Sequence, residues 1–129
     1  MKKIIKLLTL ATVLFASSAY AEKTIPLEDN SLILGEWELY AETPQLHLQK
    51  KMVQSEWNFR DNGILTSTSF DPRLDGKKAV NVTYSVEDGM IKKQIQPGRQ
   101  KTENCKVVKL EGDDMILHCK YQYYLFKRK

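Results

Sequence analysis

The sequence has few of the residues on which most enzyme and metal sites depend. It contains 129 residues, with only two cysteines and two histidines. His47 has no partner at the spacing of a metal-binding pair, and the alternation around His118 points its ring away from the core. We therefore expect no metal site and no cofactor.

Motifs for nucleophilic or acid–base catalysis are missing as well. Ser67 and Ser69 lie in strand-like sequence without the Gly-x-Ser-x-Gly turn that exposes a nucleophilic serine. The adjacent acids Asp113 and Asp114 occupy a turn, where carboxylates are usually solvated. The sequence thus predicts a protein with no catalytic residues, a binding module rather than an enzyme.

No apolar run is long enough to cross a membrane, which takes roughly 20 residues. The first 21 residues instead resemble a signal peptide, with Lys2, Lys3 and Lys6 followed by the apolar segment 7–15 and by Ala19-Tyr20-Ala21. Small residues at 19 and 21 predict cleavage after Ala21. Because no cysteine stands near this point, we expect no lipid anchor, and hence a periplasmic or secreted protein without a membrane anchor after cleavage.

Cleavage also removes the surplus of positive charge. The chain has 20 Lys+Arg against 16 Asp+Glu, and the three leader lysines reduce 20 to 17, a net charge of about +1. A nucleic-acid partner is therefore not expected. The remaining residues predict a flexible N-terminal arm over residues 22–31 and one domain over residues 32–129.

Two cysteines in an exported chain predict a disulfide between Cys105 and Cys119. They flank two strand-like runs joined by a turn cluster, so a β-hairpin would place them opposite each other. In that register Leu110 faces Asp114. The loop would then hold three residues, 111–113, or four residues with one bulge.

Alternation of apolar and polar residues recurs along the chain and predicts an all-β fold. The one candidate for a short helix is residues 43–52, with Thr43 as N-cap and Pro44 at the first helical position. Seven to eight short strands need closure to protect their edges, so we expect a small antiparallel up-and-down β-barrel, or failing that a two-sheet β-sandwich. The inward face of residues 64–70 is left open. The strand-like runs are 35–40, 53–60, 64–70, 80–86, 90–95, 105–110, 115–119 and 121–126.

The start of the first strand, Leu34-Gly35-Glu36-Trp37, resembles the Gly-x-Trp signature of the lipocalin and calycin superfamily. In that family the tryptophan seals one end of the barrel, and a basic residue near the end of the last strand packs on its indole. The resemblance implies structural roles for Gly35 and Trp37, with Arg128 as the basic residue. The chain is similar to the minimal lipocalin-like domains of bacterial exported proteins.

The resemblance implies a binding protein for a small apolar or aromatic ligand. An eight-stranded barrel is just wide enough to be filled by its own side chains or to hold one small molecule. The alternative is a periplasmic protein-interaction module, such as an inhibitor, immunity or accessory factor, with a filled core and an envelope protein as its partner. The residues expected to line the interior and contact a ligand are Trp57, Phe59, Val82, Tyr84, Leu117 and Tyr123.

Overall fold

The computed structural model describes residues 22–71, 73 and 76–129. The predicted signal peptide, residues 1–21, lies outside the described residues. Eight strands make up the fold: β1 (Gly35–Thr43), β2 (Lys51–Phe59), β3 (Ile64–Asp71), β4 (Gly76–Glu87), β5 (Met90–Gln94), β6 (Thr102–Glu111), β7 (Asp114–His118) and β8 (Tyr123–Arg128).

Each strand pairs with the next one in sequence, and β8 pairs with β1, so the sheet closes into an antiparallel up-and-down barrel. The predicted fold class is confirmed. The helix considered for residues 43–52 is wrong, because β1 continues to Thr43 and β2 begins at Lys51. Oγ1 of Thr43 accepts the N–H of Gln45 at 3.3 Å, which starts a turn instead of a helix. The described residues contain no helix that is long and apolar enough to span a membrane.

The turn between β2 and β3 decides which face of β3 points inward. It contains four residues, Arg60 to Gly63, and places Leu65 opposite Phe59. Since Phe59 is buried in the core, Leu65 points inward, and the alternation of the strand directs Ser67 and Ser69 to the same side. Gly63 adopts a φ of 84°, which a residue with a Cβ disfavours.

The predicted disulfide joins Cys105 and Cys119, both of which are buried. Near the disulfide the hairpin has the predicted register, with Val107 opposite Leu117. A bulge between Val107 and Lys109 then shifts the pairing, so Glu111 rather than Leu110 faces Asp114. The expected loop of three or four residues is therefore wrong, since the extra residue is absorbed within β6 and a two-residue turn remains.

The two ends of the barrel differ in the length of their connections. At one end, which we call the base, lie the turns 60–63, 88–89 and 112–113 and the incoming segment 28–34. At the other end, the mouth, lie the connections 44–50, 95–101 and 119–122, together with the end of β3 and the start of β4. The longer loops are thus collected at the mouth.

Residues 22–31, which the sequence predicts as a flexible arm, contact the barrel at several places. The N–H of Ile25 donates to the carbonyl of Val107 at 2.7 Å, and the N–H of Leu27 donates to Gly89 at 3.0 Å. Leu27 is itself buried in the core. The carboxylate of Glu22 meets Nδ1 of His118 at 2.7 Å and accepts the hydroxyl of Tyr123. The arm is therefore held along the barrel wall.

Candidate functional site

The half of the interior next to the base is filled by apolar side chains. Trp37, Phe59, Leu65, Ile91, Met115 and Phe126 are each no more than 1% exposed. The rings of Phe59 and Tyr84 meet edge to face at 5.1 Å, and the Tyr84 hydroxyl donates to the carbonyl of Arg60 in the base turn. This half is packed as a hydrophobic core.

Arg128 closes the base over Trp37. Its guanidinium carbon lies 4.1 Å from the centroid of the indole ring, and its nitrogens donate to the carbonyls of Leu34 and Leu32 at 3.0 and 3.1 Å. Gly35 has a φ of 108°, and a Cβ there would lie 3.5 Å from Nη1 of Arg128. These are the structural contacts that the Gly-x-Trp resemblance implies for Gly35, Trp37 and Arg128.

Trp57 divides the packed half from the half next to the mouth. On the base side its ring lies 5.0 Å from Phe126 and 6.1 Å from Phe59, both at steep angles. Tyr124 lies 5.3 Å away in a tilted arrangement, and Nζ of Lys93 lies 5.4 Å from the ring centroid. The indole thus contacts both apolar and charged groups.

A buried ion pair stands beyond Trp57, toward the mouth. Lys93 and Glu103 are opposite each other on β5 and β6, with Nζ 2.9 Å from Oε2. Their side chains are only 10% and 12% exposed. Charges in a barrel interior carry a desolvation cost that apolar side chains of similar volume would avoid. An ion pair here is therefore a candidate functional feature and not simply a packing solution.

Small and polar side chains cover the neighbouring wall of the mouth half. Ser67 stands opposite Trp57 and Val80, and Ser55 stands opposite Ser69. Serine occupies far less volume than the leucine and phenylalanine side chains of the base half. This half of the interior is therefore lined by small and polar groups around an aromatic floor.

Tyr124 presents a hydroxyl group near two carboxylates. Burial, followed by the negative charges of Glu103 and Glu42, raises the pKa of Tyr124 to about 12. Its hydroxyl therefore stays protonated at neutral pH and can donate a hydrogen bond. The site thus combines an aromatic surface with hydrogen-bond donors and an acceptor beside it, which are provided by Trp57, Tyr124, Lys93 and Glu103.

The hydrogen bonding between β4 and β5 changes from main chain to side chain near the mouth. The main-chain ladder joins Tyr84–Glu87 to Met90–Lys93, whereas β4 pairs with β3 from Thr83 down to Gly76. At the point where the β4–β5 ladder ends, the side chain of Gln94 takes over. Its Oε1 accepts the N–H of Thr83 and its Nε2 donates to the carbonyl of Arg99, each at 2.8 Å.

Five of the six residues predicted to line the interior belong to the buried core: Trp57, Phe59, Val82, Tyr84 and Leu117. The inward placement of Tyr123 is wrong. It pairs with His118 on the outer face, where the two rings stack at 3.9 Å. Of the two adjacent tyrosines, Tyr124 is the one that points inward, since it pairs with the buried Leu117.

The structure brings to the site several residues that sequence reasoning missed. Period-two alternation already places Lys93 on the face of Ile91, Glu103 on the face of Cys105 and Tyr124 on the face of Phe126. Neither Lys93 nor Glu103 is nonetheless singled out in the sequence analysis. One signal could have identified the pair. Each charge lies two residues from a buried residue of its own strand, and the two strands are adjacent.

Glu103 also lies within 4.8 Å of the sulfurs of Cys105 and Cys119. Because these sulfurs are bonded to each other, they offer no thiolate to a metal ion. This group is therefore a carboxylate beside a disulfide and does not form a metal centre.

The barrel defines the class of protein: the chain has a lipocalin-like fold. It is similar to a lipocalin-like protein from Bacteroides uniformis, with 15% identity and a TM-score of 0.63 over 77% of this chain and 100% of that one. It is also similar to an uncharacterized protein from Bacteroides eggerthii, with 15% identity and a TM-score of 0.60 over 74% of this chain and 98% of that one. No protein-family model and no curated protein sequence matches the chain.

Proposed function

We propose that this chain is an exported lipocalin-like binding protein that holds a small apolar or aromatic ligand in the mouth half of its barrel. The observation that carries the proposal is the contrast between the two halves of the interior. The base half is filled by large apolar side chains, and the mouth half carries serines, Tyr124 and the Lys93–Glu103 ion pair. Such a mixture of an apolar surface with a few convergent polar groups is typical of ligand sites.

In this proposal the apolar body of the ligand packs on Trp57, Tyr124 and Val82. Its polar group meets Lys93, Glu103 and the protonated hydroxyl of Tyr124. Phe59, Tyr84 and Leu117 support the floor from below as part of the packed core. Export is supported by the signal-like leader and by the disulfide, which persists in oxidising compartments.

The proposal is tested with 1-anilinonaphthalene-8-sulfonate, an aromatic anion whose fluorescence rises in apolar sites. We expect saturable binding with energy transfer from Trp57. Ser67→Leu, which adds bulk opposite Trp57, is expected to weaken binding by about tenfold. Thr66→Leu is the matched control because Thr66 is the neighbouring residue on the outer face, where its hydroxyl bonds to Asn81.

Equal binding by both variants would contradict the proposed site, as would no binding by the unmodified protein. Circular dichroism and urea unfolding of each variant show whether the barrel is intact. If Ser67→Leu does not fold, Val80→Phe on the facing strand provides the same block. Native mass spectrometry of protein purified from its own periplasm tests for a ligand that copurifies.

A further inference from the structure

Exposed apolar side chains are concentrated at the mouth. Within the described part of the chain, seven large hydrophobic residues are more than a third exposed. Only Leu32 lies at the base. The other six lie in the mouth connections or at the strand ends beside them: Leu46, Leu48, Met52, Phe70, Ile95 and Tyr121.

Charge is also distributed unequally between the two ends. The base connections hold five acids and one base, Arg60. The mouth connections 44–50, 95–101 and 119–122 hold four basic residues and no acid. The three residues of each strand nearest the mouth add five basic side chains, Lys51, Lys77, Lys78, Lys92 and Lys93, against three acidic ones, Glu42, Asp71 and Glu103. The five base acids are Glu28, Asp29, Asp61, Asp88 and Asp113; the four basic residues of the mouth are Lys50, Arg99, Lys101 and Lys120.

Exposed apolar side chains and basic residues are thus both concentrated at one end of a barrel whose predicted net charge is about +1. The attraction of this end for anions comes from its local field and not from the charge of the whole protein. Lysine and arginine beside exposed leucine, methionine and tyrosine are the composition of surfaces that bind anionic lipid headgroups and insert shallowly.

We propose that the mouth of the barrel docks onto an anionic lipid surface. Leu46, Leu48 and Met52 lie in or beside one connection, and Phe70, Ile95 and Tyr121 come from three other points of the rim, so the apolar side chains are spread around it. A bilayer surface is fluid and can contact all of them together. Docking in this orientation turns the proposed ligand site toward the lipid, although the docking itself does not depend on an occupied interior.

The first experiment measures co-flotation of the exported protein with vesicles. Vesicles of 30% phosphatidylglycerol in phosphatidylcholine are compared with vesicles of phosphatidylcholine alone, at about 0.05 M and 0.5 M salt. We expect binding to the anionic vesicles at low salt, release at high salt, and little binding to neutral vesicles. Equal binding to both compositions, or no binding to either at low salt, would overturn the proposal.

The second experiment locates the contact surface. Lys77→Gln/Lys78→Gln is expected to weaken vesicle binding by about tenfold or more. The control Lys109→Gln/Lys127→Gln removes the same charge from the half of the wall nearer the base. Leu48→Ser at the mouth is expected to weaken binding, and its control Leu32→Ser at the base is not. Loss of binding in the controls as well would show attraction by net charge alone and refute docking through the mouth.

The two proposals fail separately. A protein that binds anionic vesicles without binding the aromatic anion would refute the ligand site and leave the docking surface standing. A protein that binds the aromatic anion but ignores anionic vesicles would do the opposite. Capture of an acidic protein in place of vesicles would likewise refute lipid docking.

Discussion

Lys93 and Glu103 face each other on adjacent strands inside the barrel, with 2.9 Å between Nζ and Oε2. Nζ of Lys93 also lies over the ring of Trp57. Lys93 therefore neutralises the buried carboxylate of Glu103 and also contacts Trp57, the aromatic floor of the proposed site.

Removal of one charge of the pair should lower the free energy of unfolding more than removal of both charges. Lys93→Met leaves the buried Glu103 side chain without its ion-pair partner, so we expect a loss of about 3 kcal/mol in the free energy of unfolding. Lys93→Met/Glu103→Leu removes both charges and should lie within about 1 kcal/mol of the unmodified protein. Urea unfolding measures both variants, and a double variant less stable than the single one would contradict this assignment.

Arg128→Ala should loosen the base. The variant loses the guanidinium–indole contact with Trp37 and two hydrogen bonds to carbonyls, so we expect a loss of about 2 kcal/mol. Arg128→Lys keeps the charge but cannot reach both carbonyls with a planar fork, and should recover only part of the loss. Urea unfolding monitored by tryptophan fluorescence checks the order, which must be unmodified protein, then lysine, then alanine.

Acid should release the N-terminal arm. Burial raises the pKa of Glu22, but hydrogen bonds from Tyr123 and His118 and the charges of His118 and Lys106 outweigh it, so the pKa is lowered below its usual 4.5. A carboxyl group with a lowered pKa stabilises the docked arm above pH 4.5, and this contribution is lost as the pH falls through the lowered value. Hydrogen exchange at the Ile25 amide should therefore rise, relative to the intrinsic rate, in this acidic range.

Glu22→Gln is the control for that transition. It removes the titrating carboxylate, so the acid-dependent step at Ile25 should disappear while the barrel amides keep their protection. Persistence of the step in the variant would show that another group controls the arm.

Loss of the disulfide should destabilise the late hairpin. Cys105 and Cys119 are 14 residues apart, and a loop of this size restricts the unfolded chain by about 3 kcal/mol. Cys105→Ala/Cys119→Ala should lower the free energy of unfolding by a similar amount. A change smaller than about 1 kcal/mol in urea unfolding would contradict this expectation.

The barrel could be predicted from the sequence because apolar residues of the interior face alternate with polar residues of the outer face. Trp37, Trp57, Val82 and Leu117 could each be assigned to the core from their spacing alone. The same logic failed in β8, where Tyr123 and Tyr124 are adjacent and identical in type. Only pairing with Leu117 on β7 decides which ring points inward, and that pairing depends on the register of a neighbouring strand.

The site itself was harder to predict than the barrel. Burial of Lys93 depends on Glu103, which lies on a different strand and across a seven-residue connection. A single charged residue on an inward face is ambiguous until its partner is placed. The bulge between Val107 and Lys109 is equally hard to predict from a local pattern, because it is a property of the pairing between β6 and β7.

The side chain of Gln94 joins β4 to the connection after β5 at the point where the β4–β5 ladder ends. Where this amide bridges Thr83 and Arg99, rotation about its side-chain bonds breaks two hydrogen bonds and leaves every main-chain ladder intact. At this point of the rim, the closure of the wall therefore depends on the conformation of one side chain and not on pairing between strands.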